Sequence, residues 1–128
     1  MLADSTVTAM IAVNNLQKGK EFYGETLGLR HVHENPGGVS YVCGAGRVFV
    51  YESPTAGKNE ATSATWEVSD IEAVVAELKQ KGITFEKYDV SGAQWEGEVL
   101  VMDDMKAAWF KDPDGNILGL SQDSSVAE

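Results

Sequence analysis

Two histidines, His31 and His33, are spaced in a way that could support metal chemistry. In a β-strand, residues i and i+2 point to the same face, and here the carboxylate of Glu34 adjoins them. Imidazole and carboxylate groups are common ligands of transition metals. The same pattern is typical of an exposed edge strand that carries titratable side chains, and we favour this second interpretation.

Cys43 is the only cysteine in the 128 residues, so the chain cannot form an internal disulfide. This usage predicts a reducing, cytoplasmic location. We interpret Cys43 as a small buried hydrophobic residue; the alternative is a nucleophile, for which no nearby histidine suggests a partner. Four other carboxylates are interpreted as solvated charges: Glu52, Glu67, Glu96 and Glu98.

The three tryptophans differ in their surroundings. Trp66 lies in an apolar run and is interpreted as a core residue. Trp109 could form either the wall of a pocket or part of the core. Trp95 lies in the polar stretch 89–97, where we predict a loop. In that loop Trp95 would serve as a lid over a binding site or as a dimer contact.

The charge balance excludes several classes of partner. Ten Lys and Arg residues against twenty Asp and Glu residues give a net charge of −10. Such a protein repels nucleic-acid backbones and gains nothing from anionic membrane surfaces. No apolar run approaches the roughly 18 residues that a membrane span needs. We therefore expect neither nucleic acid nor a membrane as a partner.

The first half of the chain predicts one helix among four strands. Residues 6–13 are rich in apolar and β-branched types, as strands are. Asn15 is placed to cap a helix over residues 16–27, and Gly28 is placed to end it. The remaining strands are expected at residues 29–34, 39–43 and 48–52.

The second half repeats this order after a linker at residues 54–61, which is rich in turn-forming types. A strand at residues 64–68 precedes a capping-box spacing, Ser69 to Glu72, and a helix that Gly82 ends. The last elements predicted are a strand at 83–88 and a hairpin of strands 106–111 and 117–121.

Equivalent positions in the two halves share one offset. Val13 and Val68 are 55 residues apart, and Gly28 and Gly82 are 54 apart. We infer an internal β-α-β-β-β repeat within a single domain, 1–128, with module one at residues 6–53 and module two at 62–121. Two such modules predict an α+β fold, in which about eight strands form a curved mixed or antiparallel sheet around a concave groove.

Three stretches of this sequence resemble the vicinal oxygen chelate superfamily, the family of glyoxalases, bleomycin-resistance proteins and extradiol dioxygenases. The first joins VNNL at residues 13–16 to FYGETLGL at 22–29, and the second joins VSDI at 68–71 to Gly82 and Ile83. The third is AAWFKDPDGNI at 107–117. The resemblance implies the glyoxalase fold, with a ligand in the groove, and a homodimer.

In the enzymes of that family, histidine and glutamate side chains from each half bind a divalent metal. Carried onto this sequence, the four positions fall on Thr8, Ser63, Gly119 and Phe49, or Tyr51 if the register differs by two. None of these residues offers imidazole or carboxylate. The resemblance therefore implies a member that uses no metal and no other cofactor.

The resemblance also places a set of largely apolar and aromatic side chains in the groove. The predicted ligand-binding residues are Thr8, Met10, Phe49, Tyr51, Ser63, Thr65, Trp95, Trp109, Ile117 and Gly119. Such a lining suits a flat or hydrophobic small molecule.

We therefore expect a protein that binds a small hydrophobic or aromatic molecule, and the net charge of −10 favours a cationic one. One alternative is an enzyme, either a lyase or isomerase of the glyoxalase type with an unexpected metal site or a metal-free catalyst that uses Tyr51 and Glu67 as acid and base. Another alternative is an accessory domain with a vestigial groove.

Overall fold

The computed structural model describes residues 1–123, which form two compact units. The first unit contains Met1–Ser63 and Asp112–Asn116, and the second contains residues 64–111 and 117–123. Residues 124–128, the end of the predicted single domain, lie outside the described residues. Strands and helices occur in both units, which confirms the predicted α+β class. Within residues 1–123, no helix is long and apolar enough to cross a membrane.

The first unit holds a four-stranded sheet. Its strands are β1 (Thr8–Val13), β2 (Arg30–Asn35), β3 (Gly38–Cys43) and β4 (Gly46–Glu52). They lie in the order β1-β4-β3-β2, with β1 parallel to β4 and the other two pairs antiparallel. Ile11, Val48 and Val50 are buried on one face, whereas Met10 and Phe49 alternate with them and are more exposed.

The helix that follows β1 begins where the sequence predicts. The side-chain oxygen of Asn15 accepts a hydrogen bond from the backbone N–H of Lys18 at 3.0 Å and so caps α1 (Leu16–Lys20). From Glu21–Thr26 the chain continues as a π-helical segment.

The π-helical segment has a wider turn than the predicted helix over residues 16–27. The backbone N–H of Leu27 bonds to the carbonyl of Phe22, five residues earlier, at 2.9 Å. Gly28 ends the helix with φ of 75°, a left-handed conformation that glycine adopts without strain. The prediction is confirmed for the position of the helix but not for its periodicity.

Tyr23, on the π-helical segment, is fully buried, and its hydroxyl is hydrogen-bonded to a carboxylate. Its hydroxyl donates to Oδ2 of Asp112 at 2.6 Å. The side-chain amide of Asn116 donates to the same oxygen at 2.7 Å and to the carbonyl of Ala12 in β1 at 2.7 Å. Oδ1 of Asp112 accepts from the backbone N–H groups of Asp114 and Asn116. This Tyr23–Asp112–Asn116 cluster thus surrounds a buried carboxylate with four donors.

A β-bulge in β2 overturns the prediction that His31 and His33 share a face. His31 lies opposite Tyr41 on β3, but His33 lies opposite Ser40, so the register shifts between the two histidines. Because Ser40 and Tyr41 point to opposite faces of β3, the extra residue also separates the two imidazoles. All six residues of β2 are exposed, as expected of an edge strand.

The second unit holds a six-stranded sheet, except for Thr62 and Ser63 at the start of its first strand, which belong to the first unit. Its strands are β5 (Thr62–Glu67), β6 (Phe85–Glu86), β7 (Gln94–Glu96), β8 (Val99–Met102), β9 (Met105–Lys111) and β10 (Ile117–Asp123). The order is β5-β10-β9-β8-β7, and β6 pairs with the part of β9 that β8 leaves free. The structure thus has ten described strands rather than the eight expected.

Two predictions in this unit are wrong in detail. The strand expected at residues 83–88 is paired only over Phe85–Glu86. The loop expected at residues 89–97 contains β7, in which Trp95 lies opposite Leu100 of β8. A three-residue strand is too short to leave a periodic pattern in the sequence.

The helix α2 (Ile71–Gln80) follows β5 and buries the face formed by Ile71, Val75 and Leu78. Asp70, rather than Ser69, caps this helix, since its Oδ1 accepts from the backbone N–H of Ala73 at 3.2 Å. Gly82, with φ of 92°, follows the helix as predicted.

The Tyr23–Asp112 hydrogen bond should contribute measurably to stability. We expect Tyr23→Phe to lower the free energy of unfolding by about 2 kcal/mol, because a buried carboxylate loses one of its donors. Tyr41→Phe is the matched control, since Tyr41 is equally buried and its hydroxyl has no hydrogen-bond partner among residues 1–123. Urea unfolding followed by circular dichroism measures both variants, and equal losses would contradict the assignment.

The hydroxyl of Tyr23 should also make the protein less stable at high pH. Burial, the charge of Asp112 and their hydrogen bond raise the pKa of Tyr23. Above about pH 10 the unfolded chain releases this proton while the folded protein keeps it, so stability falls as the pH rises, by up to about 1.4 kcal/mol per pH unit. Urea unfolding between about pH 9 and 11.5 should give a shallower fall for Tyr23→Phe than for the parent chain. Parallel profiles would refute the linkage.

Gly57 is required by the turn at Asp112–Asn116. Its N–H donates to Oδ1 of Asn116 at 3.2 Å, and a Cβ at this position would overlap the carbonyl oxygen of Asp114. We expect Gly57→Ala to destabilise the protein by about 2–4 kcal/mol, from steric overlap together with a positive φ. Gly44→Ala is the control, because Gly44 also has a positive φ but no atom within 4 Å. Thermal unfolding that gives similar shifts for the two variants would contradict this role.

Candidate functional site

Three of the predicted site residues meet on one face of the second sheet. Trp109 on β9 lies directly opposite Gly119 on β10. A Cβ at Gly119 would lie 3.5 Å from Nε1 of the Trp109 indole and 2.9 Å from Oγ1 of Thr65 on β5. The absence of a side chain at Gly119 therefore leaves room for the indole and for Thr65 next to it.

Two further aromatic rings contact Trp109. The ring of Tyr88 packs edge-on against it, with centroids 5.6 Å apart and an angle of 83°. The ring of Trp95 lies 6.3 Å away at 59°. Together with Thr65 and Gly119 these three rings form a surface that we call the aromatic face. Both tryptophans are half-buried, so their rings remain accessible there.

The register of the strands explains why these rings converge. Glu86 lies opposite Trp109, and Tyr88 follows it by two residues, which places Tyr88 on the same side. Trp95 lies opposite Leu100, and Leu100 lies opposite Ala107, two residues before Trp109. Sequence reasoning missed Tyr88 as a site residue, although alternation within the predicted strand at 83–88 would have placed it with Glu86.

The hydroxyl of Tyr88 is unusual because it is buried and has no hydrogen-bond partner. It is the one buried side-chain polar atom in this condition among residues 1–123. Burial and the nearby charge of Glu86 raise the pKa of Tyr88. The hydroxyl therefore keeps its proton at neutral pH and can act as a donor. Beside it, Nζ of Lys87 lies 5.6 Å from the centre of the Trp95 ring, in a cation–π position.

Ile117 and Ser63 lie on strands of this sheet but are not among the residues that define the aromatic face. Ile117 is buried at the start of β10, two residues before Gly119 and so on the same side. Ser63 is half-buried near the start of β5, two residues before Thr65.

The other four predicted site residues lie on β1 and β4, in the sheet of the first unit. Met10 lies opposite Phe49 and is 57% exposed. The rings of Phe49 and Tyr51 stack with centroids 6.3 Å apart and an angle of 20°. Thr8 is exposed at the start of β1, opposite Arg47. This second group of aromatic side chains is thus placed on the face that alternates with the buried core of its sheet.

The residues at the positions assigned to a metal do not fit a divalent ion. Thr8, Ser63 and either Phe49 or Tyr51 offer at most a hydroxyl, and Gly119 offers no side chain at all. A longer side chain at Gly119 would also meet Thr65 and the indole of Trp109. Among residues 1–123, no three His, Cys, Asp or Glu side chains are grouped so that they could hold a metal ion.

The histidine pair does not replace that site. Nε2 of His31 lies 3.4 Å from Oε1 of Glu34, and Nζ of Lys20 lies 3.0 Å from the same oxygen. The hydrogen bonds from Lys20 and then His31 lower the pKa of Glu34. This arrangement lies at the rim of a cavity of about 300 Å³ beside the π-helical segment and Tyr41. It is an exposed ion-pair network rather than a set of metal ligands.

The comparisons with known proteins agree on the fold. The chain matches the family model of the Glyoxalase/Bleomycin resistance protein/Dioxygenase superfamily over residues 5–120. Among solved structures it is similar to TnmS3, an antibiotic binding protein from Streptomyces sp. CB03234, with a TM-score of 0.72 and 22% identity over 97% of this chain and 99% of that one.

Two more solved structures have a similar fold. A glyoxalase family protein from Enterococcus faecalis has a TM-score of 0.68 and 23% identity, covering 94% of this chain and 99% of its own. A lactoylglutathione lyase from Agrobacterium tumefaciens has a TM-score of 0.69 and 14% identity, covering 93% of each chain. The comparison with curated proteins found no match. At these identities the structural likeness establishes the fold and leaves the function to the site residues.

Proposed function

This chain belongs to the Glyoxalase/Bleomycin resistance protein/Dioxygenase superfamily, and we propose that it binds a small hydrophobic or aromatic molecule on its aromatic face, without a metal ion. The observation that carries the proposal is the position of Trp109, whose ring has Tyr88 and Trp95 against it and a glycine opposite it. Aromatic surfaces of this kind bind flat molecules by offset or edge-to-face packing. The similar antibiotic binding protein indicates that this fold can serve a binding function.

The charge of the protein supports a preference among aromatic ligands. A net charge of −10 raises the local concentration of cations and lowers that of anions. We therefore propose that a cationic aromatic molecule binds more tightly than a neutral or anionic one of the same shape. This preference should weaken as salt screens the long-range charges.

The remaining proposals concern the assembly and location of the protein and two alternative functions. From the family resemblance we propose a homodimer, and from the single cysteine we propose a cytoplasmic location. A lyase or isomerase reaction of the glyoxalase type stays an alternative, but the four positions of its metal ligands carry unsuitable residues. The accessory domain with a vestigial groove is the alternative that predicts no ligand at all.

A set of two-ring probes tests the proposal. N-Methylquinolinium, naphthalene and naphthalene-2-sulfonate have the same ring size and carry positive, zero and negative charge. We expect isothermal titration calorimetry to rank their affinities in that order. The Trp109→Ala variant should bind the cation about tenfold more weakly, because one aromatic contact is worth roughly 1–1.5 kcal/mol.

The control variant is Trp66→Phe, because Trp66 alternates with Thr65 on β5 and so faces away from the aromatic face. It should leave all three affinities unchanged. Failure of all three probes to bind the parent chain at millimolar concentration would refute the proposal and favour the vestigial or enzymatic alternatives. Equal loss in the Trp66 and Trp109 variants would also contradict the assigned face.

A further inference from the structure

We propose that the ligand of the aromatic face is an aromatic molecule with a neutral carbonyl oxygen, which accepts hydrogen bonds from the hydroxyl of Tyr88 and the indole N–H of Trp109. This inference rests on the proposed function and narrows the class of ligand. It assigns to Tyr88 a role in specificity that the pattern of aromatic residues alone does not suggest.

The first observation is the unsatisfied hydroxyl of Tyr88. Buried polar atoms in folded proteins are nearly always hydrogen-bonded, and each exception needs an explanation. In this protein the exception lies in a ring that contacts Trp109 at 5.6 Å, within the aromatic face. A group left unpaired at a binding surface is what a ligand atom can satisfy.

The second observation is the indole N–H of Trp109. It makes no hydrogen bond to any of the described residues. It lies next to Gly119, where an added Cβ would be 3.5 Å from Nε1. An indole nitrogen can only donate. Two unused donors on adjacent rings therefore call for an acceptor on the ligand.

Charge decides between a carbonyl and a carboxylate as that acceptor. The carboxylate of Glu86 acts on Tyr88, and the whole chain carries a net charge of −10. Lys87 is the nearby cation, but its ammonium group already lies over the ring of Trp95. An anionic ligand would thus meet repulsion that a neutral carbonyl avoids.

The hydroxyl of Tyr88 is buried, so a side chain that covers it must move before a ligand oxygen can reach it.

The test compares coumarin with naphthalene, which both have two fused six-membered rings and differ in the lactone group of coumarin, which carries the carbonyl. We expect the parent chain to bind coumarin roughly three- to tenfold more tightly by calorimetry, as one or two neutral hydrogen bonds allow. Tyr88→Phe should reduce this difference, since only the indole N–H of Trp109 then donates to the carbonyl, and should leave the affinity for naphthalene unchanged. The infrared carbonyl band of bound coumarin should lie at lower frequency in the parent chain than in Tyr88→Phe.

Tyr41→Phe is the matched control, since it also removes a hydroxyl without a hydrogen-bond partner, but from the first unit. It should keep the preference for coumarin. Thermal unfolding gives a second measurement: Tyr88→Phe should be at least as stable as the parent chain, because it deletes an unsatisfied polar group.

The possible failures can be told apart. If both probes bind the parent chain equally well and Tyr88→Phe changes nothing, the carbonyl inference is overturned while the proposed function stands. If Tyr88→Phe weakens both probes equally, or lowers the unfolding temperature, its hydroxyl is structural and the inference is again overturned. If neither probe binds the parent chain, the proposed function fails and the inference fails with it.

Discussion

The buried carboxylate of Asp112 is the constraint on which the first unit depends. A carboxylate away from water is very costly unless its oxygens are hydrogen-bonded. Here four donors surround it, two from backbone N–H groups and two from the side chains of Tyr23 and Asn116. Removing any of them leaves that charge only partly compensated, so the segments that supply these donors must keep their positions together.

This constraint accounts for two features of the surrounding chain. Tyr23, which donates to the carboxylate, lies in the π-helical segment. The chain therefore departs from α-helical geometry, with a wider turn, at this residue. The stretch 54–61, predicted as a linker, is also held in place, since Gly57 bonds to Asn116 and Ala56 is buried. An apparently loose connection is thus part of the packing around the cluster.

The sequence predicted those parts of the fold that short-range rules determine. Asn15 and Gly82 act through their own backbone conformation and their nearest neighbours, so their roles could be inferred from residue type. The bulge at His31 and the strand β7 could not be inferred, because each exists through pairing with a neighbouring strand. The same holds for the candidate site: Trp109 was recognised, but the contact of Tyr88 with it depends on the register between β6 and β9.

Gly119 connects the metal question to the aromatic face. The family resemblance assigns this position to a metal ligand, which requires a long side chain that points from the sheet. A Cβ here would lie only 2.9 Å from the hydroxyl of Thr65 and in contact with the indole of Trp109 at 3.5 Å. A long ligating side chain at this position would therefore require Thr65, and beyond the Cβ also the indole of Trp109, to shift. In this chain the position is part of the aromatic face, which favours the proposed binding of aromatic molecules over metal-assisted catalysis.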